Sequence, residues 1–476
     1  ISSAQESFIV YNGALYFTAS ESATGLELYK TDGTAAGTQM VKDIRTGSAG
    51  SFYTNVNNER QLFKIFNNEL FFIVLNTNQA ELWKTDGTEA GTIRVYNFGG
   101  VGFPVYSVKG ETATLGVELN GFLYFAVKYD NGTVSLWKTD GTSAGTTFIT
   151  HGFSNIQEFT VYNGFVYFAG ESPSNGNELW RTNGTNSGTN ILYNIFPDDI
   201  NFVGKSSNPS YLTVFNNELY FKARGYDYTQ NTIIGSELYK TDGNTLTLVK
   251  NINTATNVVD TEGSGLNLPK FIEFQNELYF IASDNQDNEY DLWKTDGTET
   301  GTLKMVDNLE VSASSIQFQS PIVYNDKIFF HNFQQLWVTD GTNGGVTMQL
   351  TDNGDTTIPI QTFSNPMLIM FDKLWFSGYT SDNKQELWSV YPSALGLDDE
   401  MQTPLQISVF PNPTSNLIYI NSTQPIQYVE IYNSLGQLLS ATYRMKKIDI
   451  KYLSSGLYLA KIKVNDNIIA KKIIKK

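Results

Sequence analysis

The chain has 476 residues, a net charge of -16, 14% aromatic and 17% charged residues and no cysteine, which excludes disulfides, thiolate metal sites and a cysteine nucleophile. So much apolar surface makes it globular rather than disordered, and its two histidines, His151 and His331, are too few and too far apart for a multi-histidine metal site or a histidine triad. No apolar run approaches the roughly 20 residues of a membrane-spanning helix, and the acidic balance argues against nucleic acid or anionic lipid as a partner.

Ile1-Ser2-Ser3-Ala4-Gln5 has neither a basic segment nor an apolar core, so any export signal is expected to have been removed. A repeat begins at once. The phrase Phe8-Ile9-Val10-Tyr11-Asn12-Gly13-Ala14-Leu15-Tyr16-Phe17 recurs with its final Phe at Phe72, Phe125, Phe168, Phe221, Phe280, Phe330 and Phe376. Behind each copy follows a second phrase, first seen as Glu27-Leu28-Tyr29-Lys30-Thr31-Asp32-Gly33-Thr34, which returns around Trp83, Trp137, Trp180, Tyr239, Trp293, Trp337 and Trp388 at intervals of 43 to 59 residues.

Each copy parses into four short strands. Asn12-Gly13, Asn67-Asn68, Asn163-Gly164 and Asn216-Asn217 are two-residue turns that favour positive φ and join the first strand to the second. Between the third and fourth strands stand Asp32, Asp86, Asp140, Asn183, Asp242, Asp296 and Asp340, each followed by Gly, where the side chain can accept bonds from the amides of its own turn. Strands such as Leu15-Tyr16-Phe17 are apolar at consecutive positions, so both faces must be covered. Four-stranded antiparallel sheets packed face to face about an axis meet that need, and a period of this length fits. The predicted fold class is all-β: an eight-bladed propeller over residues 1–392, with the tryptophans as inter-blade core. The eighth copy lacks the Asp-Gly turn and a clear fourth strand; either that blade stays short or a terminal segment completes it.

The residues Glu81-Leu82-Trp83-Lys84-Thr85-Asp86-Gly87-Thr88 resemble the ELWxxDGT repeat family of bacterial surface and secreted proteins, over about Ser7 to Tyr391. The resemblance implies a propeller and extracellular residence, and it brings no catalytic residues to carry over.

Residues 393–404 read as an acidic linker. From 405 to 476 the pattern is that of a small Ig-like sandwich of about seven strands. The charge changes sign there: from Gln402 onward ten Lys+Arg stand against three Asp+Glu, +7, whereas the remainder has 22 against 45, -23. The turn Pro411-Asn412-Pro413, the turn ending at Gly436, the phrase of Leu453, Gly456 and Tyr458, and the tail with Lys471, Lys472, Lys475 and Lys476 resemble the type A C-terminal sorting domain of the type IX secretion system of Bacteroidota. That resemblance implies passage through an outer-membrane translocon, capture by a barrel-type shuttle protein, and a place outside the cell. Ile473-Ile474 between lysine pairs predicts a tail strand that docks on a partner's edge.

In such a propeller the tight turns share one face and the irregular segments gather on the other, among them 46–60, 99–116, 198–209, 224–236 and 283–290. That face is the candidate binding surface, with Phe52, Tyr53, Phe103, Tyr106, Tyr226, Tyr228 and Tyr290 as its aromatics. No metal ligand set or cofactor is expected. The acidic loops Asp284 to Glu289 and Asp352 to Asp355 offer calcium-type oxygens without the spacing of a known calcium loop. No pair of carboxylates departs from the repeat in the way glycoside hydrolysis needs. The sequence therefore reads as an exported, non-catalytic binding protein, with an accessory subunit of outer-membrane secretion or motility machinery and a polysaccharide hydrolase or lyase as alternatives.

Overall fold

The computed structural model describes residues 2–48, 50–52, 63–76, 79–100, 115–129, 131–196, 206–227, 232–253, 265–266, 271–284, 291–306, 319–332, 335–342, 348–349, 361–362, 367–370, 373–379, 385–390, 408–422, 425–433, 438–443, 445–464 and 467–476. Among them every regular element is a strand, and the chain divides into two compact units, Ile1–Pro392 and Ser393–Lys476.

Sheet 1 sets the pattern of the first unit: Ser2–Tyr11, Ala14–Glu21, Gly25–Thr31 and Gln39–Lys42 pair antiparallel in chain order. The same meander returns as sheets 2 to 7 over 63–100, 117–153, 155–193, 210–250, 272–306 and 319–349. Sheet 8 has the three described strands Leu368–Met370, Lys373–Tyr379 and Gln385–Val390. Two short strands were not foreseen. Gly265–Leu266 bridges the third strand of sheet 5 to the second of sheet 6, and Gln361–Thr362 does the same for sheets 7 and 8. Repeated four-stranded antiparallel sheets of this kind are compatible with a propeller-like fold.

The consecutive apolar runs are buried on both sides. Leu70, Phe72 and Val74 pack with Tyr11, Leu28 and Val41 of sheet 1, whereas Phe71 and Ile73 of the same strand pack with Leu123, Phe125 and Trp137 of sheet 3. Side chains alternate across a strand, so one strand serves two cores. Trp137 and Trp293 are buried, and Trp83, Trp180 and Trp337 are half-buried against the same clusters. The Trp388 side chain lies outside the described residues.

The turns explain the rest of the motif. The Asp86 carboxylate accepts the Thr88 amide at 2.8 Å and the Thr88 hydroxyl at 2.7 Å, which hold it below the usual carboxylate range. Thr85 Oγ1 accepts the Gly87 amide and meets Thr92 Oγ1 at 2.8 Å, so the threonines flanking the turn close it from below. Corresponding bonds form at Asp32, Asp140, Asn183, Asp242, Asp296 and Asp340.

Each sheet is also keyed to the next. The Tyr220 hydroxyl of sheet 5 occupies the space where a Cβ on Gly297, in the Asp-Gly turn of sheet 6, would sit. Tyr16 meets Gly87 in this way, Tyr124 meets Gly184, Tyr167 meets Gly243 and Tyr279 meets Gly341, and the Phe71 ring stands close against the corresponding place at Gly141, covering six successive junctions from sheet 1 to sheet 7. Hydrogen bonds reinforce the register: Tyr11 Oη donates to Asn68 O at 2.8 Å, Tyr162 Oη to Asn217 O at 2.7 Å and Lys30 Nζ to Gly87 O at 2.7 Å.

The second unit stacks Ser408–Phe410, Leu417–Asn421 and Lys447–Asp449 against a four-stranded sheet. The order of that sheet is Leu438–Tyr443, Ile426–Asn433, Gly456–Val464 and Asn467–Lys475. Its core is aliphatic, with Ile418, Ile420, Val429, Ile431, Ile448, Ile462 and Ile473 at the centre.

Candidate functional site

The residues that organise the linker side of the first unit are acids the repeat hides in plain view. The acid two places before the core aromatic stands in the third strand, directly across from small residues of the second: Ala19 opposite Glu27, Gly170 opposite Glu178, Ala223 opposite Glu237. All three carboxyls are buried. Each reaches the chain leaving the fourth strand. Glu27 takes the Ile44 and Arg45 amides and the Ser51 hydroxyl, the last at 2.6 Å. Glu178 takes the Ile195 amide at 3.0 Å, the Ser207 amide at 2.9 Å and the Ser207 hydroxyl. Glu237 takes the Ile252 amide at 2.9 Å and that of Asn253 at 3.1 Å.

Desolvation by burial dominates these sites and pushes Glu27 and Glu178 up to about 7 and Glu237 to about 8, against the opposing pull of their hydrogen bonds. Sheets 2 and 6 solve the same problem with a cation. Arg94 meets Glu81 at 2.7 Å, and Lys304 meets Asp291 at 2.9 Å. Sequence reasoning passed over these acids because they looked like repeat spelling. The signal was an acid recurring two places before the core aromatic in six of the eight copies, the exceptions being Ser135 and Gln335.

Of the aromatics assigned to the binding face, Phe52 is corrected: it is buried between sheets 1 and 2 with its ring 5.8 Å from Phe72, because the Glu27–Ser51 bond draws the linker into the core. Tyr226 is half-buried, edge-on to Phe196 at 6.1 Å. The segment 224–236 is not irregular as expected; Glu218–Asp227 and Thr232–Thr241 extend their hairpin through most of it. Tyr53, Phe103, Tyr106, Tyr228 and Tyr290 lie outside the described residues, as do Gly436 and the acidic stretches 285–289 and 352–355. Asp284, at the edge of the first stretch, is paired with Lys304 at 2.7 Å. Among the described residues no cluster of three potential metal ligands occurs, and no helix is long and apolar enough to cross a membrane.

In the second unit the Pro-Asn-Pro turn and the tail belong together. Asn412 Nδ2 donates to Lys472 O at 2.6 Å while its Oδ1 accepts the Ile474 amide at 2.8 Å. Thr414 N donates to Ile474 O, Lys476 N donates to Thr414 O, and Thr414 and Lys475 form a parallel bridge. This corrects the expectation that the tail offers its edge to a partner. Over 472–476 that edge already carries the turn, and Ile473 is buried in the unit's own core. Lys472 and Lys476 are exposed, whereas Lys471 and Lys475 are half-buried. Gly456 opens the strand that pairs with the tail along its whole length. Tyr458 and Leu453 pack against the core, with Tyr458 Oη donating to Ser454 O. Asn412→Ala removes both bonds to the tail and is expected to weaken this unit by about 1–2 kcal/mol, read as faster amide exchange confined to 467–476.

Residues 408–476 match the family described as Secretion system C-terminal sorting domain. The second unit is a sorting domain. It marks the chain for export by type IX secretion to the cell surface or the extracellular space, and it implies an interaction with that machinery. No curated protein sequence matches the chain.

Solved structures are similar at low identity. An uncharacterised protein from Listeria monocytogenes EGD-e shares 9% identity at a TM-score of 0.35 over 72% of this chain and 97% of that one. A puromycin hydrolase shares 11% at 0.31 over 81% and 58%. A prolyl endopeptidase shares 9% at 0.37 over 85% and 54%. The chain thus spans little more than half the length of the two hydrolases. The expectation of a non-catalytic chain is corrected here: it rested on an absence alone. The absence of singular carboxylates in the repeat is no ground for a non-enzymatic assignment, since catalytic groups can come from irregular segments on a rigid scaffold.

Proposed function

We propose that residues 1–392 form an eight-bladed propeller of the ELWxxDGT-repeat kind, made in a member of the Bacteroidota and handed by the sorting domain to the type IX translocon and its barrel-type shuttle protein. Outside the cell, the linker side of the propeller is the recognition surface, and its ligand is a protein or a glycan. One observation carries this reading: buried acids fix the start of the inter-sheet linkers at Ile44, Ile195 and Ile252 on a scaffold whose sheets are keyed to one another. Recognition segments held that way lose little entropy on binding. The contacts at the Asp-Gly turns support the blade arrangement, and the closed ring of eight and the boundaries 1–392, 393–404 and 405–476 are part of the proposal.

The full chain applied to glycan and surface-protein arrays should retain a ligand, with turnover of each retained glycan or peptide measured alongside. Binding is expected to need no cofactor and to persist in EDTA; loss in EDTA would instead place calcium at 284–289 or 352–355. Failure to retain any extracellular glycan or protein would remove the recognition reading.

A further inference from the structure

We propose that Glu27, Glu178 and Glu237 form a pH-responsive latch, which pins three inter-sheet linkers tightly in acid and relaxes them as the surroundings become neutral. The geometry that carries the proposal is a contrast within one repeat position. At Glu81 and Asp291 the buried acid is paired with a cation, Arg94 or Lys304. At the other three positions the bonds come from backbone amides and a serine hydroxyl of the departing linker. No cation stands at bonding distance from these three among the described residues; an ionised carboxylate buried so is costly, and the linker is the part of the cage that can yield.

The neighbouring charges differ in sense. Asp43, on the linker itself, adds to the rise at Glu27, while the Arg45 guanidinium nearby is bonded to Gly50 O at 3.1 Å. Ser207 and the amides of Ile195, Phe196 and Ser207 bear on Glu178. Lys222 on the adjacent strand favours ionisation of Glu237, but burial outweighs it.

The sign follows from proton binding. With the linker docked the carboxyls titrate near 7 or 8, whereas a carboxyl released into water returns toward 4.5. The docked state holds more protons, so pinning is strongest below 4.5, weakens as pH climbs to 7 (8 for Glu237), and is constant above.

The test is hydrogen exchange on the full chain from pH 4.5 to 9, corrected for intrinsic rates. Protection of the amides of Ile44, Ile195, Ser207 and Ile252 should fall by up to about tenfold per pH unit until the carboxyl titrates, then level off. Glu27→Gln, Glu178→Gln and Glu237→Gln should each flatten the profile of their own linker alone, and Glu81→Gln should leave all three unchanged. Profiles that keep their slope in the Gln variants would overturn the latch. Should those variants fail to fold, infrared titration of the unaltered chain decides: a protonated carboxyl band must survive at pH 6 and vanish by about pH 9, and its absence at pH 6 ends the proposal.

Discussion

Deleting residues 467–476 should stop the chain from reaching the cell surface or the medium while leaving residues 1–392 folded. The deleted strand lies along the whole of Gly456–Val464, supplies the buried Ile473, and is the partner of Asn412 and Thr414. Its loss strips one side of a core that is small to begin with, and a unit of this size has little stability to spare. Without it the Pro-Asn-Pro turn has nothing to grip, and the sorting domain is expected to lose its fold. The measurement is fractionation of a host with a type IX system. Retention inside the cell, with a native-like tryptophan emission spectrum, is expected; undiminished release of the shortened chain would show that the folded sorting domain is not what is recognised.

Gly297→Ala should destabilise the first unit far more than Gly33→Ala, although the two glycines occupy the same place in the same turn. Their φ values are 94° and 92°, so both variants incur the left-handed cost of about 1–2 kcal/mol. A Cβ at Gly33 meets nothing within 4 Å. At Gly297 it runs into the Tyr220 hydroxyl, on a rigid ring that is 1% exposed and bonded to Glu218 at 3.3 Å, so the ring cannot swing aside. Displacing the neighbouring sheet adds about 1–3 kcal/mol. Urea unfolding should therefore show a midpoint shift for Gly297→Ala about 1.5 to 4 times that for Gly33→Ala at unchanged slope. Equal shifts would mean that the contact between sheets contributes no stability.

Features set by neighbours in sequence were legible; those set by packing were not. Asn12-Gly13 and Asp86-Gly87 declare themselves because a positive φ and a side chain bonded to its own turn are local events. The consecutive apolar run Leu70 to Val74 revealed a sheet covered on both faces for the same reason. Phe52 was misread because an aromatic in a linker looks exposed until Ser51 is seen bonded to Glu27, 24 residues earlier. Asn412 was recognised only as part of a turn, since its partners Lys472 and Ile474 are about 60 positions away. The acids of the repeat were hidden by their recurrence: a residue that returns in most copies reads as scaffold, and only the partners folding brings to it distinguish those paired with a cation from those bonded to linker amides.

The absence of cysteine allows clean paired spin labelling of the central claim, a ring of eight sheets. Val10, Ile65, Val214 and Ile369 stand at the same position of the first strand in sheets 1, 2, 5 and 8, and all are exposed. With Cys placed at each in pairs and labelled, the separation between 10 and 369 should equal that between 10 and 65, and that between 10 and 214 should be the longest. A separation between 10 and 369 exceeding that between 10 and 214 would mean an open stack, and the ring would have to be abandoned.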